Sequence, residues 1–380
     1  MKRLLCALLP LLLLAGCSGG LFPNEYVYRA EHEAPFAYRE TDAPQEETEP
    51  PIPEASDYYA IRRIVRNFIL EGVEHGQLRV SGYEGDLEQD LRKLVRYLSS
   101  EDPISAYAAD YINCEREEDG SGWLIRMDTV YRRSAGEIAA IRSVRGNEAA
   151  LKAMRDALSQ LQSSVTLQIS GYTEEDYAAM LTDYCLQHPD EIPEIPEISV
   201  AAYPDSGYVR VVEVHFVYQN DRETQRNMKT EVQSVLNSAL SYFRYGRTDQ
   251  RKLQLLFSYL TSRFSYAEAE EGATVYSLLC QGSGDSRCFA SVVRWLCERA
   301  ELEAYLVCGQ RNGEPHYWNI IRLDGAWYHC DFQRDAAAGK GLRFRQDSGM
   351  KRYDWDREAY PACVPPEPEE STEPEPTEQP

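Results

Sequence analysis

Between Tyr208 and Tyr218 the side chains alternate: Val212, Val214, Phe216 and Tyr218 fall on one side, Val211, Glu213, His215 and Val217 on the other. A period of two marks a half-buried strand. The run from Trp123 to Tyr131 alternates in the same way. Elsewhere the spacing is helical. Leu253, Leu256, Phe257 and Leu260 share one face of a predicted helix over Arg251 to Phe264. Further helices are predicted for Leu87 to Leu98, Glu148 to Leu158, Glu174 to Leu186, Thr224 to Leu240 and Ser286 to Arg299. Three more strands are predicted near Glu303–Gly309, His316–Leu323 and Ala326–Phe332.

The order of the early elements repeats. Leu78-Arg79-Val80-Ser81-Gly82-Tyr83 returns as Leu167-Gln168-Ile169-Ser170-Gly171-Tyr172. Each is followed by an acidic helical stretch, then an alternating strand ending in Tyr, then a closing helix that ends Ala-Leu. Similarity at a near-fixed offset indicates duplication. The expected fold is α+β: two small α/β modules, 57–160 and 161–240, each a twisted sheet with helices on one face, and a third domain over 241–362. Neither module shows a nucleophile–base pair, so positioning, spacing or ligand recognition are the expected roles. His215 reads as a packed or edge histidine.

The ends change the picture of where the chain resides. Lys2 and Arg3 precede an apolar run from Leu4 to Leu14, then Ala15, Gly16 and Cys17. That order describes a secretory signal over 1–16, with an apolar run too short for a permanent bilayer span. The Leu-Ala-Gly-Cys ending resembles the bacterial lipobox, whose cleavage leaves a lipid-bearing Cys at the new N-terminus. An ordinary signal peptide cut nearby, or a short core helix, is the alternative. Acyl chains on Cys17 would make the membrane a partner and hold the remainder outside the cytoplasm, anchored to the bacterial cell membrane. Segments 17–56 and 363–380 are rich in Pro and Glu, and lack the apolar residues that offset ordering entropy; both are expected to be disordered spacers.

Charge and cysteine content exclude some functions. The formal net charge is −22, and twelve acids between 40 and 54 and between 367 and 378 supply about half of the excess. With no basic footprint, nucleic acid is not an expected partner. Eight of the ten cysteines follow Cys17 and would be exported, where disulfides can form. None has Cys-x-x-Cys spacing, so neither a structural metal nor another cofactor is expected, and buried free thiols are the default reading. The 26 tyrosines form no stacking array and read as core and rim.

The chemistry-bearing stretch runs from Tyr276 to Asp331. Its right half is His316-Tyr317-Trp318-Asn319, then Leu323-Asp324-Gly325-Ala326-Trp327-Tyr328-His329-Cys330-Asp331. Asp-Gly is a strong signal for a two-residue hairpin turn, which brings an inward His beside an inward Asp. Its left half places Tyr276, Leu279 and Gly282 before Gly284-Asp285-Ser286-Arg287-Cys288-Phe289-Ala290. The two halves resemble the transglutaminase-like family, a papain-like fold in which a helix headed by a nucleophilic Cys precedes antiparallel strands bearing His and Asp. The resemblance covers about Gln250 to Ala336.

Register within that resemblance decides the nucleophile. Counting forward from Tyr276, Leu279 and Gly282, and backward from Leu296, Ala290 and Phe289, both place the family's Cys at Ser286. His316 is then the base and Asp331 its orienting carboxylate, with Trp318 and Asn319 shaping the site and His329 a polar neighbour on the Asp strand. Cys288 is the competing nucleophile, but roughly 200° of helical rotation separates positions i and i+2, so only one of the pair faces His316. An alcohol does not ionise as a thiol does, and sites shaped for sulfur seldom meet its stricter geometry. The resemblance therefore implies a surface lipoprotein whose transglutaminase-like domain is degenerate and binds a peptide, protein or peptidoglycan ligand. The alternative is an amide hydrolase or acyltransferase using Ser286 or Cys288 with His316 and Asp331.

Overall fold

The computed structural model describes residues 51–120, 122–266 and 273–365. The signal segment, Cys17, most of the 17–56 spacer and nearly all of the 363–380 tail lie outside the described residues. Among the described residues no helix is long and apolar enough to cross a membrane.

The first sheet has the order β1-β2-β4-β3. β1 (Glu54–Ala55) runs parallel to β2 (His75–Val80). β2 pairs antiparallel with β4 (Gly122–Tyr131), and β4 with β3 (Ala109–Asp119). Helix α1 (Tyr58–Leu70) starts where the Asp57 carboxylate accepts the amides of Tyr59 and Ala60. Its buried stripe Ile61, Val65 and Ile69 joins Leu91, Leu94 and Leu98 of α2 (Leu87–Ser100) over Leu78, Val80, Ile125 and Met127. Both helices therefore cover one sheet face. Two short helices, α3 (Pro103–Ala108) and α4 (Ala135–Ala139), complete this unit.

The second sheet follows the same plan, in the order β5-β6-β8-β7. β5 (Arg142–Arg145) is parallel to β6 (Ser164–Ser170), which pairs antiparallel with β8 (Val209–Val217), itself antiparallel to β7 (Glu197–Tyr203). Helices α5 (Gly146–Ser159) and α6 (Tyr177–Gln187) pack on Leu167, Ile169, Val212 and Val214. Here the structure differs from the sequence expectation. The helix read as closing the first copy, Glu148 to Leu158, links the parallel strands of the second sheet, so the two sheets divide near Ile141 rather than at 160. A parallel pair requires such a crossover, and helical spacing alone does not say which sheet the helix covers. β1 also lies before 57, within the stretch expected to be a spacer.

The third unit begins with α7 (Arg222–Phe243), whose Val232, Leu236, Ala239 and Phe243 share a core with α8 (Asp249–Arg263). The sequence expectation that this helix closes the second module is likewise corrected by the core it shares with α8. β9 (Ser265–Tyr266), α9 (Val275–Gln281) and β10 (Ser283–Gly284) lead into α10 (Ser286–Arg299). The final sheet has the order β13-β12-β11-β14, all antiparallel, from β11 (Ala304–Arg311), β12 (Glu314–Leu323), β13 (Ala326–Cys330) and β14 (Tyr353–Asp354). Asp324 and Gly325 both have positive φ, +47° and +85°, as the tight β12–β13 turn requires. Val292, Val293 and Leu296 of α10 pack with Ile321 and Leu323. Short α11 (Phe332–Ala337) follows β13. The result is an α+β fold with α10 laid across an antiparallel sheet.

Candidate functional site

Ser286 is the first residue of α10, and Asp285 caps the helix by accepting the Cys288 amide at 2.9 Å. Helix N-termini expose amides and favour negative charge; here the Asp285 carboxylate already occupies that position. Two residues on, Cys288 is 2% exposed and belongs to the hydrophobic core. Burial pushes its thiol well above the ordinary range, with the Asp285 charge adding to the rise. Ser286, His316 and Tyr317 line one cleft of about 260 Å³, whereas Cys288 lines a different cavity. The helical phase thus separates the two candidates.

His316 is 7% exposed and its Nε2 lies 2.7 Å from Asp331 Oδ2. Asp331 is fully buried and accepts two more donors: the Tyr353 hydroxyl on Oδ2 at 2.6 Å and the Arg334 amide on Oδ1 at 2.9 Å. Burial alone would raise this carboxyl, but the hydrogen bond and charge of His316, with the Tyr353 and Arg334 donors, outweigh it and hold it below its ordinary value. An ionised Asp331 fixes the proton of neutral His316 on Nε2 and leaves Nδ1 as the basic nitrogen. Asp331 is not a strand residue as expected: β13 ends at Cys330, and Asp331 is the N-cap of α11. A carboxylate that accepts the amide three residues on ends the strand there.

No hydrogen bond joins Ser286 to His316. The Ser286 hydroxyl oxygen accepts the Tyr317 amide at 3.3 Å instead. Behind the imidazole, Trp318 lies parallel to His316 with ring centroids 6.2 Å apart and an interplanar angle of 22°. Asn319, on the opposite face of β12, donates to the Ala290 carbonyl of α10 at 2.9 Å and to the Tyr305 carbonyl at 3.3 Å. It ties the strand to the helix that carries Ser286. Gly309 is required by this packing: a Cβ there would lie 2.4 Å from the Asp354 carbonyl and 2.8 Å from the Trp318 ring.

His329 is fully buried and does not line the cleft; it reaches His316 only through Trp318. The Trp318 indole donates to His329 Nδ1 at 2.9 Å, and His329 Nε2 lies 2.8 Å from Asp347 Oδ1. His329, Asp347 and Cys363 place ligand-type atoms within 4.8 Å of one another. An indole N–H can only donate, so Nδ1 must accept and Nε2 carries the proton that Asp347 receives. That tautomer leaves no imidazole lone pair for a cation, and the trio does not fit a metal. Burial lowers the basicity of His329, opposed by the Asp347 hydrogen bond, in keeping with a neutral ring.

Tyr353, Arg334 and Asp347 were not read from the sequence. Tyr353 sits in a two-residue edge strand, 22 residues beyond Asp331, in a segment with no periodicity. No local signal marks it.

Residues 239–332 match the profile described as the Transglutaminase-like superfamily. The chain carries a transglutaminase-like domain. That match spans about a quarter of the sequence. No curated protein matches the chain. Among solved structures the chain is similar to a TGase at 11% identity and a TM-score of 0.26, covering 51% of this chain and 59% of that one. A cysteine protease candidate from Cytophaga hutchinsonii is similar at 12% identity and a TM-score of 0.25, covering 42% of this chain and 70% of that one. A protease candidate from Parabacteroides distasonis is similar at 9% identity and a TM-score of 0.23, covering 56% and 46%. The chain thus spans less than two thirds of the first of these.

Proposed function

We propose that this chain is an extracytoplasmic lipoprotein, held to the membrane through Cys17, whose transglutaminase-like domain binds a peptide or cell-wall ligand without cleaving it. The observation that carries the reading is the content of the cleft. His316, held by Asp331, lines a cleft with Ser286 and Arg287 of α10, and the alternative thiol on that helix, Cys288, is buried in the core and lines a different cavity. Ser286 accepts a backbone amide and makes no hydrogen bond to the imidazole, so the Ser–His contact that general-base activation uses is not formed. Asp285 further places a negative charge where a developing alkoxide would need positive potential. The duplicated modules then serve as spacing or recognition elements between anchor and cleft.

A second reading, an amide hydrolase or acyltransferase working through Ser286, is favoured by one feature: the His316–Asp331 pair retains a basic Nδ1. Labelling separates the two. On the binding reading, a fluorophosphonate leaves Ser286 unmodified, and iodoacetamide near neutral pH shows no His316-dependent preference for Cys288. Ser286→Cys should then create a thiol that iodoacetamide alkylates faster than every native cysteine, with that advantage lost in Ser286→Cys/His316→Ala. Fluorophosphonate labelling of Ser286 in the unaltered protein would overturn the binding reading.

A further inference from the structure

The cavity that Cys288 lines is the second feature of α10 with the shape of a ligand site. It has a volume of about 350 Å³ and lies where the second sheet unit meets α10. Pockets of this size favour such junctions. Apolar walls come from Leu186, Ile192, Ile195 and Val275. The junction is firmly held: the Ser291 hydroxyl donates to the Leu186 carbonyl at 2.5 Å, and Arg299 pairs with Asp190 at 3.3 Å.

One group in this cavity stands out. Glu194 is 2% exposed, and its carboxylate accepts only neutral donors: the Gln219 amide at 2.9 Å, Asn220 Nδ2 at 2.6 Å and Gln225 Nε2 at 2.8 Å. Among the described residues no cation pairs with it. Oε1 holds a single donor and has room for a second. A buried charge without a counter-charge is costly unless a partner arrives. Glu197 adds a second negative group to the lining, and the Arg287 guanidinium, also in the lining, is committed to the Ala273 carbonyl at 2.8 Å and faces Asp285 at 3.9 Å. The cavity is therefore apolar along its walls and anionic at one end.

The geometry points to a ligand anchor for a cationic donor head, ammonium or guanidinium, carried on a short aliphatic stem. The head would sit against Glu194 and the stem between Leu186, Ile192 and Val275. Arg287 lines both this cavity and the Ser286–His316 cleft, so the two share one wall residue. This deepens the binding reading and rests on it for the identity of the cleft. The anchor itself is not the reacting position and can be measured without reference to chemistry at Ser286.

The test titrates the full chain, by ligand-observed NMR, with n-butylammonium and n-butylguanidinium against n-butanol and butyrate, which share the stem. The cations should bind roughly tenfold more tightly than n-butanol, the scale of one charged hydrogen bond, and butyrate more weakly still. Glu194→Gln should abolish the preference while n-butanol binding persists, which also shows that the variant is folded. Thr182→Trp, at an exposed rim position, should block all four ligands. Nα-acetyl-lysine N-methylamide binding as tightly as n-butylammonium identifies a peptide side chain as the source of the head; weaker binding of the amide identifies a free amine. Equal binding of n-butanol and the cations, an unchanged preference in Glu194→Gln, or no binding at all overturns the anchor. The anchor is read by binding alone, so fluorophosphonate labelling of Ser286 would sink the non-catalytic reading without touching this one.

Discussion

At the scale of single residues, the polar groups around His316 are organised by who can donate to whom. Asp331 collects His316, Tyr353 and the Arg334 amide, and each donor stabilises its charged form. Tyr353→Phe removes one donor while keeping the ring. The Asp331 carboxyl should then titrate at higher pH than in the unaltered protein, read by carbon NMR of the labelled carboxyl; no movement would mean the hydroxyl does not act on it. His329 supplies a pH dependence of its own. Its folded basicity is lowered, so below its ordinary value near 6.5 the unfolded chain takes up a proton that the native ring refuses. Stability should fall as pH drops from about 6.5 towards the lowered native value, and level off beneath it. Melting curves across that window should show the slope, and His329→Gln should flatten it.

Among the elements, α10 and β12 carry the site and are held to each other by few polar contacts. Asn319 spans from β12 to the Ala290 carbonyl, and Asp285 closes the first turn of α10. Asp285→Ala deletes an N-cap, so denaturant unfolding should show a loss of about 1 kcal/mol. It also removes the negative charge next to Ser286. These two elements were legible from spacing: α10 spans Ser286 to Arg299 as predicted, and the Asp324-Gly325 turn sets the β12–β13 register. By contrast α1, β3 and β7 were not predicted. β3 ends in the exposed charged run Glu115 to Asp119, as befits an edge strand, and so lacks the alternation that reveals a buried one.

Across the whole molecule, contacts between units depend on groups far apart in sequence. Tyr107 of α3 donates to Glu213 of β8 at 3.0 Å, and Arg133 pairs with the same carboxylate at 2.5 Å. Glu213 lies on the face of the second sheet opposite α5 and α6, so this bracket joins the first unit to the second. Glu213→Ala strips a nearly buried ion pair of one partner and should cost about 3 kcal/mol in equilibrium unfolding. A loss below about 0.5 kcal/mol, the level of an exposed pair, would show that the bracket is not buried in solution.

The family resemblance implied the register of Ser286; local pattern, by itself, determined the elements whose burial is one-sided and the hairpin turn. Each depends on residues within a few positions of one another, where periodicity and turn chemistry act directly. Only the tertiary structure decided which sheet α5 and α7 cover, that Cys288 faces a separate cavity, that Asp331 caps α11, and that Tyr353 and Asp347 complete the polar network. Those outcomes arise from chain segments brought together by packing, and no spacing along the sequence encodes a partner 20 or 100 residues away.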